Sequence, residues 1–249
     1  MILTENPANP ILRLTDLAAV AEIARSRDII LVVDSTMATP VATRPILLGA
    51  DLVVHSLTKY MNGHGDALGG SVSGSKNLIE EIRKQGGVYL GAAMSATNAW
   101  LIMRGIDTLF PRVNAMSRTA LEVANFLSQH PKVTKVVYPG LESHPQHELA
   151  KRQMDVFGGM ITFQTDEPEN MCSQLAKRLQ VVHYAVSLGH QRSIVCMLST
   201  DELNNSTWGL QGEKLEEYKK WAGEGLFRLS IGLESSADII SDLDQALRG

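Results

Sequence analysis

The run Asp28-Ile29-Ile30-Leu31-Val32-Val33-Asp34 constrains the fold of this chain most strongly. Consecutive apolar residues make both faces of a strand apolar, and such a strand belongs inside a sheet covered on both sides. Cover of that kind is supplied by helices, which makes an α/β layer the expected fold class. The flanking pattern agrees. Thr15 reads as an N-cap with Asp16 in the first turn, and Leu17, Val20, Ala21 and Ala24 recur at helical spacing up to about Arg27. A second buried strand, Leu52-Val53-Val54-His55, follows Pro45 and Gly49. Met1-Ile2-Leu3-Thr4 reads as the end of a strand, and Glu5-Asn6-Pro7-Ala8-Asn9-Pro10 as a loop with two proline stops. Ser71-Val72-Ser73 is a further possible strand in a glycine-rich stretch between Gly63 and Gly74.

Helical pattern returns over 76–84 and from 97 past 104, and an amphipathic stretch over 112–130 predicts a long helix ending at Pro131. That helix is the natural place for a domain change, giving an expected division into 1–110 and 111–249. Beyond it, strands are predicted at 133–138, 159–164, 181–187 and 226–231, with helices near Leu149, at 169–179 and at 236–247. Such mixed elements describe a smaller α+β domain. With 23 basic against 27 acidic side chains, the net charge of −4 offers no basic excess for nucleic acid or anionic lipid. Two cysteines cannot build a disulfide framework, Met1–Pro10 lacks the basic and apolar regions of a signal peptide, and no apolar run reaches membrane-spanning length. A cytoplasmic protein is the expectation.

Chemistry concentrates at two strand ends. Asp34 terminates the most apolar strand, and ligands of open α/β sheets bind outside the carboxyl ends of strands. Taken alone it could equally be a turn or cap residue. The second buried strand runs directly into Ser56, Thr58 and Lys59 and breaks at Gly63. Hydroxyls and a lysine beside glycine-rich backbone are the parts of an anion site. A lysine just after a buried strand is also desolvated, which lowers an amine pKa and favours the nucleophilic form. An ordinary solvated lysine is the competing reading. His144, His147 and Cys172 match no closed zinc spacing, so no metal is expected. The glycines after Gly65 do not follow the dinucleotide-binding order.

Together these segments resemble the Cys/Met-metabolism family of pyridoxal-phosphate (PLP) enzymes. Ser56-Leu57-Thr58-Lys59-Tyr60 with Gly63-His64-Gly65-Asp66 is similar to the family's lysine signature. Val33-Asp34-Ser35-Thr36-Met37-Ala38-Thr39-Pro40 is similar to its "VDNTFATP" segment, Glu5 to Pro10 to "ESPxNP", and Phe227 to Glu234 to "RLSVGLE". Asp34 lies midway between Asn9 and Lys59, the spacing seen in the family. The resemblance implies an aspartate-aminotransferase-like PLP-dependent transferase fold (fold type I), with a large cofactor domain and a smaller C-terminal α+β domain. It implies that Lys59 bonds to the cofactor aldehyde and later moves protons, and that Asp34 pairs with the pyridine nitrogen. It gives the phosphate to Ser56 and Thr58, places Asn9 near the ring hydroxyl, and assigns the substrate α-carboxylate to Arg228 with Ser187 in the same pocket. The implied activity is lysis or γ-replacement of sulfur-containing amino acids, in a homo-oligomer (dimer or tetramer).

Three departures stand out. Family members carry a long segment before the position of Asn9, so the resemblance implies an N-terminally truncated large domain, with Met1 falling inside a sheet strand. A non-catalytic fragment, or one half of a split enzyme completed by a separate N-terminal polypeptide, are the alternative readings. Gly189 to Met197 does not follow the family's "GGxESLIxHPASMTH" stretch, which leaves the amino-acid substrate and β- against γ-chemistry open. Leu57 replaces a smaller residue and reads as a packing change.

Overall fold

A computed structural model describes all residues, Met1–Gly249. The chain divides into two compact units. Unit 1 holds Met1–Asn9, Arg13–Asn114 and Glu148–Phe157; unit 2 holds Pro10–Leu12, Ala115–His147 and Gly158–Gly249.

Unit 1 is built on a four-stranded sheet ordered β1 (Ile2–Glu5), β2 (Leu31–Asp34), β3 (Leu52–Ser56) and β4 (Gly70–Gly74). The first three strands are parallel, with Glu5 opposite Asp34 and Asp34 opposite Val54, and β4 is antiparallel to β3. Their carboxyl ends, Glu5, Asp34 and Ser56, therefore leave the sheet along one side. The helix Leu17–Ser26 lays Leu17, Ala21 and Ala24 on Leu31, Val33 and Val53, all of them buried. Burying a Leu or Val fully contributes about 1.5–3 kcal/mol, so this apolar stripe holds the layer. The helix is capped by Asp16, whose carboxylate accepts the Ala19 N–H, and not by Thr15 as expected. β2 starts later than its apolar run, because Asp28 and Ile29 turn back to give their N–H groups to Arg25 and Ala24 at the helix end.

Two segments depart from a linear two-domain division, the short Pro10–Leu12 in unit 2 and Glu148–Phe157 in unit 1. Glu148–Phe157 follows the long helix Leu109–Gln129 in sequence yet packs in unit 1. Its Ala150 and Met154 lie against Leu14, Ala38 and Ala42, and Gln153 bonds to the Leu17 N–H, the Thr15 carbonyl and the Asn6 side chain.

Unit 2 carries a five-stranded sheet ordered β5 (Lys135–Val137), β6 (Met160–Gln164), β9 (Gly225–Ser230), β8 (Ile194–Ser199) and β7 (His183–Tyr184). Side chains alternate along β9. Leu229 stands in a row with Ile161 and Val195, all fully buried, while Arg228 stands in the other row with Thr162 and Cys196. Phe163 and Phe227 stack with ring centres 5.0 Å apart. The strand expected over 181–187 shrinks to two residues, His183–Tyr184, and a partner remote in sequence occupies its start. The N–H groups of Gln180, Val181 and Val182 go to the Asp242 carboxylate at 2.8–2.9 Å, so they cannot join a ladder.

Asp242 sits on the buried stripe of the helix Ser236–Arg248 beside Ile239 and Leu243, and Gln245 adds a fourth hydrogen bond. Burial alone pushes its carboxyl pKa up, but the three backbone N–H bonds outweigh burial and hold it below the usual value. A depressed folded pKa stabilises above the unfolded value, about 3.9, and that contribution is lost as pH falls through the folded value. Asp242→Asn is expected to cost roughly 2–3 kcal/mol at neutral pH, because an amide offers these N–H groups only one acceptor oxygen. Melting curves below about pH 4 should then show a smaller further loss in the variant than in the wild type. Parallel slopes would contradict this assignment.

Candidate active site

In unit 1 Asp34 and Ser56 end β2 and β3, and Thr58 and Lys59 follow directly on β3. Asp34 is half-buried at the end of β2, and its Oδ1 accepts the Thr36 N–H at 2.9 Å in a two-residue Asx turn. Thr36 in turn accepts the Ser56 N–H on its Oγ1 at 2.8 Å, which ties the end of β2 to the end of β3. Thr36 was not singled out from sequence, although an aspartate two residues before it at a strand end is the signal for such a turn. Near Asp34 lies His55, nine-tenths buried, with its Nε2 lacking a hydrogen-bond partner. Burial pushes the His55 imidazole down and the Asp34 carboxylate only partly offsets this.

Ser56 leads into the wide helical turn Leu57–Met61. Thr58 is anchored there, since its hydroxyl accepts the Gly69 N–H at 3.1 Å. Lys59, half-buried, leaves the helical conformation with φ −89° and ψ −131°. Its carbonyl accepts the Gly63 N–H at 2.7 Å. Leu57 is buried with Ala67 and Ile102, so the residue that replaces a smaller one fills a local core. Asn9 is exposed in the turn beyond β1, next to Ala8, which pairs with Arg13. The Asn6 N–H reaches the Asp34 carbonyl at 2.9 Å, so this turn starts beside Asp34.

The helix Ala96–Asp107 supports the lysine turn by close approach. A Cβ on Gly105 would lie 2.2 Å from the Asn62 carbonyl oxygen and 2.8 Å from its Cα. Glycine inside a helix ordinarily costs about 1 kcal/mol relative to alanine. Here the backbone contact reverses the sign. Gly105→Ala is expected to destabilise by roughly 1–3 kcal/mol in denaturant titrations, and a stabilised variant would contradict the contact.

In unit 2, Arg228 is buried on β9, and its Nη2 donates to the Ser187 carbonyl at 3.3 Å and to Cys196 Sγ at 3.7 Å. The expected pair Arg228 and Ser187 is thus brought together, through the Ser187 backbone. The Ser187 hydroxyl meets His190 Nε2 at 3.0 Å. Burial pushes the Cys196 thiol up, against the opposing pull of the Arg228 guanidinium. Glu234 ends a motif read from the sequence but received no role there. Its carboxylate accepts the Ser193 N–H and hydroxyl, both at 2.8 Å, and fixes the loop before β8. Gly232 passes so near this loop that a Cβ would lie 2.5 Å from the Gln191 carbonyl oxygen.

The donor set of unit 1 fits pyridoxal phosphate. It offers an amine for the aldehyde, a carboxylate for the ring nitrogen, and hydroxyls beside glycine-rich backbone for the phosphate. No group of three or more His, Cys, Asp or Glu converges as a metal site would require. His144 and His147 are instead engaged with the Leu12 and Pro139 carbonyls.

A family profile described as "Cys/Met metabolism PLP-dependent enzyme" matches residues 1–248. An L-methionine gamma-lyase of Pseudomonas deceptionensis is 43% identical over 250 residues, covering 100% of this chain and 61% of that protein. The chloroplastic cystathionine gamma-synthase 1 of Arabidopsis thaliana is 42% identical over 247 residues, 99% of this chain and 43% of that one. Among solved structures, a cystathionine gamma synthase from Xanthomonas oryzae pv. oryzae in complex with aminoacrylate and cysteine superposes with a TM-score of 0.88 at 35% identity. That match covers 99% of this chain and 62% of the other. The chain thus spans less than two thirds of the length of these relatives.

Proposed function

Because the chain belongs to the Cys/Met metabolism family of PLP-dependent enzymes, we propose that it acts on a sulfur-containing amino acid by elimination or replacement at Cβ or Cγ. Its fold is that of the fold type I PLP-dependent transferases. In this reading unit 1 is the cofactor-binding part, roughly the segment 1–110, and unit 2 is the C-terminal α+β domain. The observation that carries the proposal is the tie through Thr36, which brings a carboxylate and the turn bearing an amine to neighbouring parallel strand ends.

When bound, pyridoxal phosphate supplies a ring that withdraws the electron pair left at a substrate Cα. Lys59 would hold the cofactor through its Nζ and, once the substrate amine has displaced it, would take and return protons at Cα and, for loss from Cγ, at Cβ. Asp34 would accept a hydrogen bond from the protonated ring nitrogen and keep it charged. Ser56 and Thr58 would donate to the phosphate, and Asn9 would orient the ring hydroxyl. Arg228 would pair with the substrate carboxylate through its two-pronged guanidinium, with Ser187 beside it.

We place the protein in the cytoplasm; no helix is long and apolar enough to cross a membrane. It is also proposed to form a homo-oligomer, dimer or tetramer. Trp100 and Met103 on the helix Ala96–Asp107 and Phe110 on the next are 58%, 67% and 57% exposed, and exposed apolar side chains suit burial against another subunit. The same side chains, with the free edge of β4, favour a second reading in which a separate polypeptide completes unit 1. The test is to incubate the chain and cofactor with methionine or cystathionine and measure 2-oxo acid release, with the oligomer followed by light scattering. Release from the chain alone supports the enzyme reading. Release only with an added polypeptide supports the second reading, and none under either condition leaves a non-catalytic fragment.

A further inference from the structure

Arg112 lies in the first turn of the helix Leu109–Gln129, is 5% exposed, and meets no carboxylate. A buried guanidinium is costly unless its N–H groups find acceptors. These find neutral ones. Nη1 donates to the Tyr60 carbonyl at 2.9 Å, and Nη2 to the Gly105 and Met61 carbonyls at 2.7 and 3.4 Å. Nε donates to Thr108 Oγ1 at 3.0 Å. Burial pushes the guanidinium pKa down, in keeping with a charge that lacks a counter-ion.

Tyr60 and Met61 are the two residues that follow Lys59, whose own carbonyl is taken by the Gly63 N–H. Three consecutive carbonyls of the lysine turn are therefore held, two of them by one side chain. Space around that side chain is committed as well: at Gly63, with φ +72°, a Cβ would lie 2.1 Å from Arg112 Nη1. Only a planar fork reaches the Tyr60, Met61 and Gly105 carbonyls together, and a lysine ammonium cannot span them all.

We propose that Arg112 is a positioning residue that fixes the direction of the Lys59 side chain by clamping the backbone immediately after it to the helix Ala96–Asp107. This rests on the reading of Lys59 as the cofactor's lysine, and the experiment separates the two. The full chain is compared with Arg112→Lys and Arg112→Met. In the cofactor-free chain, hydrogen exchange at Asn62 and Gly63 should quicken about tenfold in Arg112→Met, with β2 and β3 unchanged and Arg112→Lys intermediate. After incubation with pyridoxal phosphate and borohydride, the label on Lys59 relative to exposed Lys76 should fall about tenfold in Arg112→Met and recover in part in Arg112→Lys.

Unchanged exchange at Asn62 and Gly63, or a rise shared by all strands, overturns the proposal. So does unchanged labelling of Lys59 when the wild type labels there. A wild type that takes no label at Lys59 overturns the functional reading instead, while exchange still decides whether Arg112 clamps the turn. Should Arg112→Met fail to fold, Arg112→Lys decides by the same outcomes, because it keeps the charge and part of the hydrogen bonding.

Discussion

Lys59→Ala is expected to fold as the wild type does, to bind pyridoxal phosphate without a covalent link at this position, and to lose turnover by a factor of about 1,000 or more. The lysine is half-buried, while the turn around it is held by backbone bonds: the Gly63 N–H on the Lys59 carbonyl and the Asn62 N–H on that of Leu57. Removing the side chain beyond Cβ leaves those bonds in place, so thermal unfolding should move little. What disappears is the amine proposed to form the covalent link and to carry the Cα proton. Lys59→Arg should behave alike, since a guanidinium stays protonated and cannot act as a nucleophile. Single-turnover assays with excess cofactor would check this. Turnover within tenfold of wild type in either variant would remove Lys59 from its role.

Asp34→Asn separates charge from shape. Asparagine keeps an oxygen for the Thr36 N–H, so the turn that joins β2 to β3 through Ser56 should survive. The negative charge is lost. A pyridinium facing a neutral amide is less favoured, and turnover should fall roughly 100- to 1,000-fold while the carboxylate-bearing substrate binds with little change in KM. Asp34→Ala should lose as much turnover and also loosen the turn. A nitrogen-15 label in the cofactor ring would read the proton directly: present in wild type, absent in Asp34→Asn. A ring nitrogen protonated equally in both would contradict the pairing.

Much of unit 1 was legible in the sequence because its strands are written locally. Val32 and Val33 in β2, and Leu52 and Val53 in β3, are apolar at successive positions, which only a doubly covered strand tolerates. Asp34, Ser56, Thr58 and Lys59 could be read as candidates because they end or follow directly on those strands, and their proposed roles came from the family resemblance. Elements set by distant partners were not legible. β8, Ile194–Ser199, went unread although Ile194 to Leu198 are also apolar at successive positions; its place is set by pairing with β9, remote in sequence. The expected strand 181–187 was shortened by a carboxylate from the last helix, Asp242. The roles of Arg112 and Glu234 escaped for a similar reason. Their partners are backbone groups of remote loops, and a backbone carbonyl or N–H leaves no mark in the sequence.

Lys59 alone among the lysines is proposed to receive the cofactor. Peptide mapping of the wild-type chain, after incubation with a stoichiometric amount of pyridoxal phosphate and borohydride reduction, decides this. The added mass is expected on the peptide carrying Lys59, with little on any other. Label spread evenly over the exposed lysines, with none enriched at Lys59, would contradict it.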